Sequence, residues 1–223
     1  MSASFHLRPA TLLDLPSIAH IWSRAFFDDE IIGQLMHPNR NEYPDDIYYF
    51  LLRGIRERYF DWRHQFKVVV NGDGKVAGAA DWRRLGEGGD ARELWWLDPR
   101  NLIQPALHTY HDLSLRVWPN RAADPTRTSF LDNAVAKSEK LWTGERAECW
   151  DLYACGVDPD YQGKGVGKML AEWGVNEAKK EGEDVVASVM CGEKNRGFYG
   201  KVGLVREVGG TKGDGGGITL FTR

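Results

Sequence analysis

Cysteine is scarce in this chain of 223 residues. There are three, Cys149, Cys155 and Cys191, an odd number with no CxxC pair among them. Stapling a fold by disulfides takes paired cysteines in an oxidising compartment, so reduced thiols are expected instead. A chain of this length can bury most of its apolar surface without disulfides or a structural metal. No apolar run is long enough to span a bilayer, and the opening Met-Ser-Ala-Ser-Phe-His lacks the apolar core of a signal peptide. The expected location is the cytoplasm, with the nucleus left open. Neither sign of charge dominates, since 29 Lys and Arg stand against 32 Asp and Glu for a net −3. A dedicated nucleic-acid binder shows a basic patch or stripe, so neither nucleic acid nor membrane is an expected partner. Internal repeats are missing, and the only biased tract is the glycine-rich Gly209–Gly217, which reads as a hairpin tip.

Aromatic residues are plentiful, and nine tryptophans can build a core or wall a pocket for an apolar ligand. The length fits one large domain, or one domain with an insertion. Phe5–Arg8 reads as a first strand. Leu15, Ile18, Ala19, Trp22, Ala25 and Phe26 follow helical spacing, with Asp14 as the expected N-cap and Pro16 in the first turn. A second helix is expected over about 45–61. Strands at 66–70 and 75–82 then flank Asn71-Gly72-Asp73-Gly74, a hairpin turn. Residues 84–147 carry Trp95-Trp96, four prolines and helical patterns near 102–115 and 129–142, and they read as a lid or inserted subdomain. The last third alternates: a strand at 149–157, a helix from about Lys164 to Glu181, a strand at 184–190, a short helix at 194–202, and strands at 204–208 and 217–222. Strand–helix–strand order implies a parallel pair joined by a crossover helix.

The chemistry concentrates at the junction Val157-Asp-Pro-Asp-Tyr-Gln162-Gly163-Lys164-Gly165-Val166-Gly167-Lys168. Three glycines in five residues open a helix directly after a strand. Glycine admits positive φ and a close backbone approach, and a helix N-terminus carries about half a positive charge. Together they form a cradle for a pyrophosphate. A Walker A loop needs GxxxxGK followed by Ser or Thr, and a dinucleotide fingerprint needs GxGxxG; this segment has neither. On the loop alone, a glycine-rich turn without a ligand stays open as the other reading.

That segment resembles the acetyl-CoA motif of the GNAT N-acetyltransferases, Gln/Arg-x-x-Gly-x-Gly/Ala, with Gln162, Gly165 and Gly167 in the matching places. Val157, Pro159 and Leu170 match its flanks. Gly197-Phe-Tyr199-Gly-Lys201-Val-Gly203-Leu204 is similar to the second signature, Tyr-x-Lys-x-Gly-Phe, with Leu204 in place of Phe. The resemblance covers about residues 149–204. It implies a single domain of mixed α/β (α+β) class over 1–223, a central twisted sheet flanked by helices. A helical insertion at about 84–147, which has no counterpart in the minimal fold, precedes the cofactor-binding strand.

The resemblance further implies acetyl-CoA as co-substrate, with no metal. Backbone N–H groups from Gly163, Lys164, Gly165, Val166 and Gly167 would hold its pyrophosphate. The strand around Cys155, Gly156 and Val157 would pair with the pantetheine arm, and Asn195 would contribute from the following turn. Lys164, Lys168, Lys194, Arg196 or Lys201 could reach the adenosine phosphate, or form a solvated helix face. Tyr199 matches the tyrosine beside the thioester sulfur; packing at a helix start is its other role. An ammonium has no lone pair, and with an alkylamine pKa near ~10 a positioned base is useful. Asp151, eleven residues before Gln162, is the first candidate, on one strand face with Tyr153 and Cys155. A salt-bridged strand end is the alternative, and Glu148 is the second candidate base. His108 and His111 share a helix face but lack further ligands at metal spacing. A small-molecule primary amine is the expected acceptor, with protein amines or non-catalytic acyl-CoA binding as alternatives, in a monomer or homodimer.

Overall fold

The computed structural model describes residues 4–127, 130, 133, 136, 138–210 and 217–223. Its strands are β1 (His6–Pro9), β2 (His64–Val70), β3 (Val76–Leu85), β4 (Cys149–Val157), β5 (Val186–Gly192), β6 (Arg206–Gly210) and β7 (Gly217–Phe221). They form one seven-stranded sheet in the order β1-β2-β3-β4-β5-β7-β6. Neighbours are antiparallel except β4 and β5, which are parallel. The described helices are α1 (Leu15–Ala25), α2 (Pro44–Tyr59), α3 (Glu87–Asp90), α4 (Arg100–Val117), α5 (Val166–Glu181) and α6 (Arg196–Gly200). α5 supplies the crossover that the parallel pair requires.

Alternation along the strands sorts side chains onto two cores. Phe66, Val68 and Val70 of β2 meet Leu15, Ile18, Trp22, Ile47, Leu51 and Ile55 of α1 and α2. On the opposite face Val69, Trp82, Trp150 and Leu152 meet Val166, Leu170, Ala171 and Val175 of α5. Trp82 and Trp150 are both essentially inaccessible, and their indole N–H groups are satisfied by the Leu170 carbonyl (3.0 Å) and by Glu181 (3.0 Å). Tryptophan in a core needs such a partner for its one polar atom.

Several boundaries differ from the sequence expectation for identifiable reasons. Asp14 does not cap α1: it lies in helical conformation, behind a turn that begins at Leu12. Its carboxylate instead accepts from the Thr11 N–H and hydroxyl (2.7 and 2.8 Å) and from both terminal nitrogens of Arg8. α5 starts at Val166 rather than Lys164, because Gly163 and Gly165 hold positive φ (74° and 86°) and keep the preceding loop non-helical. β6 starts at Arg206, since Leu204 is spent in the core. The expected hairpin tip at 209–217 lies mostly outside the described residues, as do positions 129, 131, 132, 134, 135 and 137 of the helix expected over 129–142.

After Leu85 the chain leaves the sheet. α4 lies on α2, where His111 Nδ1 meets the Glu57 carboxylate at 2.6 Å. The returning segment is stitched to the first turn of α2 and to the α1–α2 connection: Arg121 pairs with Asp46 (3.0 Å), the Asp124 N–H reaches the Met36 carbonyl (2.9 Å), and Asn39 N–H reaches that of Ala122 (3.1 Å). Trp95 and Trp96 are 66% and 75% exposed, so core packing is not their role.

Candidate active site

β4 is the strand that shapes the site. Its pairing with β3 runs regularly from Cys149 to Leu152, then skips: Trp82 lies opposite Leu152, while Asp81 lies opposite Ala154. Tyr153 is therefore the extra residue of a β-bulge, which bends the strand and shifts the alternation by one. Pairing with β5 stops at the same point, at Leu152–Val189, although β5 continues alongside β7 to Gly192. Among the described residues the β5-facing edge of β4 beyond Leu152 has no strand partner. Apart from the Val157 carbonyl, which accepts from the Gln162 amide at 3.3 Å, its N–H and C=O groups have no strand to bind and can take an extended ligand arm. Cys155, Gly156 and Val157 all lie along this opened edge.

The bulge also corrects one expectation. Asp151 and Tyr153 do share a face, but Cys155 does not. It packs with Leu152, Val157 and Tyr199 on the α5 side, while Ala154 turns to α1 and α2. A strict period of two carries no sign of an inserted residue. Gly156 lies against Trp22, whose indole ring occupies the space a side chain would need.

At the end of the opening lies the glycine loop. An added Cβ at Gly163 or Gly165 would meet nothing within 4 Å, so the loop's outer surface faces open space. No side chain caps α5, which leaves the first-turn N–H groups, including those of Val166, Gly167 and Lys168, without a side-chain acceptor. Orphan donors plus the helix dipole suit an anion. The missing side chain of Gly167 also serves packing. A Cβ there would meet Phe198 at 3.3 Å and Val157 at 3.4 Å, so its absence permits close approach of α5 to α6 and β4. Gln162 folds its amide back to the Val157 carbonyl (3.3 Å) and braces the loop. Buried Asp158 adds a further brace, capping the turn through the Asp160 N–H (3.0 Å) and pairing with Arg24 of α1 (2.8 Å).

The basic candidates divide. Lys164 donates to the Asp160 carbonyl (2.9 Å), Lys168 faces Glu172 (3.5 Å), Lys194 faces Glu30 (3.3 Å), and Arg196 is held by Glu193 and Glu207. Lys201 has no ion pair among the described residues. Asn195 is exposed at the turn before α6. Tyr199, on α6, is buried beside Cys155 and Cys191, and that burial holds its phenol well above its ordinary pKa.

The two candidate bases stand in different surroundings. Glu148 accepts from Arg84 (2.7 Å) and from the N–H groups of Glu87 (2.6 Å) and Gly88 (3.1 Å). These contacts outweigh its partial burial and hold it below the usual carboxylate range; they fasten the exit of the chain from β3. Asp151 is 4% exposed. It accepts from Ser188 Oγ (2.7 Å) and Arg83 (3.2 Å). Burial raises its pKa, against the downward pull of Arg83, Ser188 and His64. A raised carboxylate pKa moves a base toward neutral pH.

Sequence reasoning missed the polar row that surrounds Asp151. His64, Arg83, Asp151 and Ser188 lie side by side on β2, β3, β4 and β5. Fully buried Asp81 accepts from His64 Nδ1 (2.7 Å) and Arg58 (2.8 Å), and Arg58 stacks on Tyr153 at 4.5 Å. Gly54 stands one helical turn before Arg58, and a side chain there would press on its guanidinium. Among the described residues no group of three His, Cys, Asp or Glu side chains is arranged to hold a metal ion. No described helix is long and apolar enough to cross a membrane.

A sequence model of the Acetyltransferase (GNAT) family matches residues 15–204. No curated protein matches the sequence significantly. Among solved structures, the chain is similar to a histone acetyltransferase HPA2 and related acetyltransferase of Corynebacterium glutamicum, with TM-score 0.62 and 18% identity over 100% of this chain and 96% of that one. It is similar to the PaiA N-acetyltransferase of Thermoplasma acidophilum in complex with coenzyme A, with TM-score 0.54 and 13% identity over 99% of each chain. It is also similar to an agmatine N-acetyltransferase mutant in its apo form, with TM-score 0.54 and 14% identity over 97% of this chain and 98% of that one. At these identities the likeness is one of fold.

Proposed function

The chain belongs to the acetyltransferase (GNAT) family, and from that premise we propose that it moves an acetyl group from acetyl-CoA to a primary amine of a small molecule. The observation that carries this reading is the opening of β4 from β5 at the Tyr153 bulge, with the uncapped glycine loop at one end and Tyr199 buried beside it. The loop takes the pyrophosphate, and the free edge of Tyr153–Val157 takes the pantetheine arm. The thioester then lies between Asp151 and Tyr199.

Asp151, acting through a water because its side chain is short, removes the proton that keeps the amine unreactive. The amine nitrogen forms its bond to the thioester carbonyl carbon and sheds a second proton to solvent, the C–S bond breaks, and Tyr199 gives its proton to the departing sulfur and regains one from solvent. A phenol keeps its proton at neutral pH even at its ordinary pKa, and burial, by pushing that pKa up, makes Tyr199 a weaker donor. The leaving thiol, like cysteine, has a pKa near ~8.5, so this donation assists modestly.

A protein amine is the second reading. It is favoured by the exposed apolar residues of the insertion, Trp95, Trp96, Leu102, Tyr110 and Trp118, which offer a peptide a surface. Coenzyme A release over a panel of small primary amines and lysine-bearing peptides separates the two, and release with none of them would leave only a binding module. The cofactor half is tested without any acceptor. Gly165→Asp places a carboxylate at a positive-φ glycine in the phosphate cradle, and calorimetric titration with acetyl-CoA is expected to show at least a tenfold loss, the equivalent of ~1.4 kcal/mol. Equal affinity in two folded proteins would remove the loop from the site.

A further inference from the structure

Trp142 comes from the last part of the insertion, just after the turn Glu139–Leu141. Its ring packs on Phe221 (6.2 Å between centroids), and its indole nitrogen lies 2.9 Å from Ser188 Oγ. Ser188 is completely buried and lies 2.7 Å from Asp151 Oδ1. An indole N–H can only donate, so Ser188 must accept from it. Cys149 Sγ donates to the same oxygen at 3.1 Å. Both acceptor positions of the hydroxyl are thereby used, and its single proton has one direction left, toward Asp151.

We propose that Trp142 is a positioning residue: through Ser188 it fixes the orientation and proton affinity of the Asp151 carboxylate, so the insertion tunes the site by this relay. The proposal rests on Asp151 being the base, but the wiring can be measured without that assumption. The other groups facing Asp151 are Arg83 from β3, His64 from β2, and Cys149 from its own strand. Arg83 and His64 are untouched by changes at positions 142 or 188, and Cys149 loses its acceptor only in Ser188→Ala, so a shift in Trp142→Phe reports the relay.

A hydrogen bond to the ionised carboxylate favours that form, and losing it raises the pKa. The test follows the carboxyl ¹³C resonance of Asp151 against pH, assigned by its absence in Asp151→Asn. Ser188→Ala is expected to raise the midpoint by about one pH unit. Trp142→Phe, which keeps the ring on Phe221 but leaves Ser188 free to turn, is expected to raise it by about half as much. Ser188→Thr restores the hydroxyl and is expected to return the midpoint toward wild type, which a merely structural role of this position would not produce. With acetyl-CoA and a responsive amine, the acidic limb of kcat should move with the midpoint while the KM for acetyl-CoA stays unchanged. An unmoved midpoint in both Trp142→Phe and Ser188→Ala overturns the relay. A moved midpoint with an unmoved kcat limb overturns the positioning role. Full activity in Asp151→Asn with a moved midpoint removes the base while leaving the wiring in place.

Discussion

At the scale of single residues, the site depends on which polar atoms are already engaged. Glu148 and Asp151 are three positions apart and chemically similar, yet they are placed for different work. Glu148 holds two backbone N–H groups and Arg84, so protonating it would cost the attachment of the insertion. Asp151 has one neutral donor and one guanidinium, in a place where burial raises its pKa. Asp151→Asn should therefore lower kcat by ~10²-fold or more at neutral pH, as loss of a positioned base does. Higher pH should recover part of it, because the amine then loses its proton to solvent. Tyr199→Phe should cost less, since the thiolate leaves with little help. Profiles of kcat against pH for the three proteins decide the matter. An unchanged kcat and profile in Asp151→Asn would make Asp151 a structural ion-pair partner of Arg83. Asp151 was legible from its distance to Gln162, while its partners were not. Ser188 lies 37 residues away, and Trp142 approaches from the end of the helical pattern near 129–142, in an insertion with no counterpart in the minimal fold.

At the scale of elements, the decisive contacts are helix on strand. α5 buries its stripe on β3 and β4, and Gly174 is the point of closest approach, where an added Cβ would strike the ring of Trp82. Trp82 cannot give way: it is fully buried and its indole N–H is tied to the Leu170 carbonyl. Gly174→Ala gains ~1 kcal/mol of helix propensity. Overpacking a rigid core costs ~1–3 kcal/mol, and with a ring this constrained the upper end applies. The net expectation is a loss of ~1–2 kcal/mol, read as a Tm lower by about 2–8 °C in a chain of this size. A Tm equal to or above wild type would show that α5 can slide along the sheet. The helix itself was legible, because Val166, Leu170 and Trp173 repeat at 3.6 residues and three glycines mark its start. The bulge in β4 was not, because an extra residue in a strand leaves no local mark when its neighbours, Leu152, Tyr153 and Ala154, are all acceptable in a sheet.

At the scale of the whole molecule, the insertion and the α1–α2 connection behave as one wall, pinned at His37. This residue is fully buried, with Nδ1 2.6 Å from the Ile32 carbonyl and Nε2 3.0 Å from the Asn120 amide nitrogen. A carbonyl only accepts, so Nδ1 carries the proton and Nε2 accepts from Asn120. Burial is the largest influence on His37 and lowers its pKa; the Ile32 carbonyl and Asp46 pull upward, and Arg53 adds to the lowering. The unfolded chain, with the ordinary 6.5, then binds the proton more readily than the folded one. The stability contributed by neutral His37 is complete above about pH 6.5 and falls away as pH drops toward the lowered folded value. Thermal unfolding between pH 8 and 5 should show wild type losing more Tm than His37→Gln over the acidic part of the range. Parallel curves would mean that His37 titrates alike in both states.

Taken alone, the chain determined the elements and the glycine loop that is proposed to hold the cofactor. Hydrophobic periodicity and glycine placement act over a few residues, and Gln162, Gly165, Gly167 and Tyr199 could be named from neighbours in sequence. Three things were decided only by the tertiary structure. β4 parts from β5 at Tyr153, Cys155 turns away from Asp151, and Trp142 reaches Asp151 through Ser188. Each depends on strands or loops far apart in the chain meeting within hydrogen-bond reach. Burial and partner geometry, which set the character of a carboxylate, exist only once those distant segments have packed.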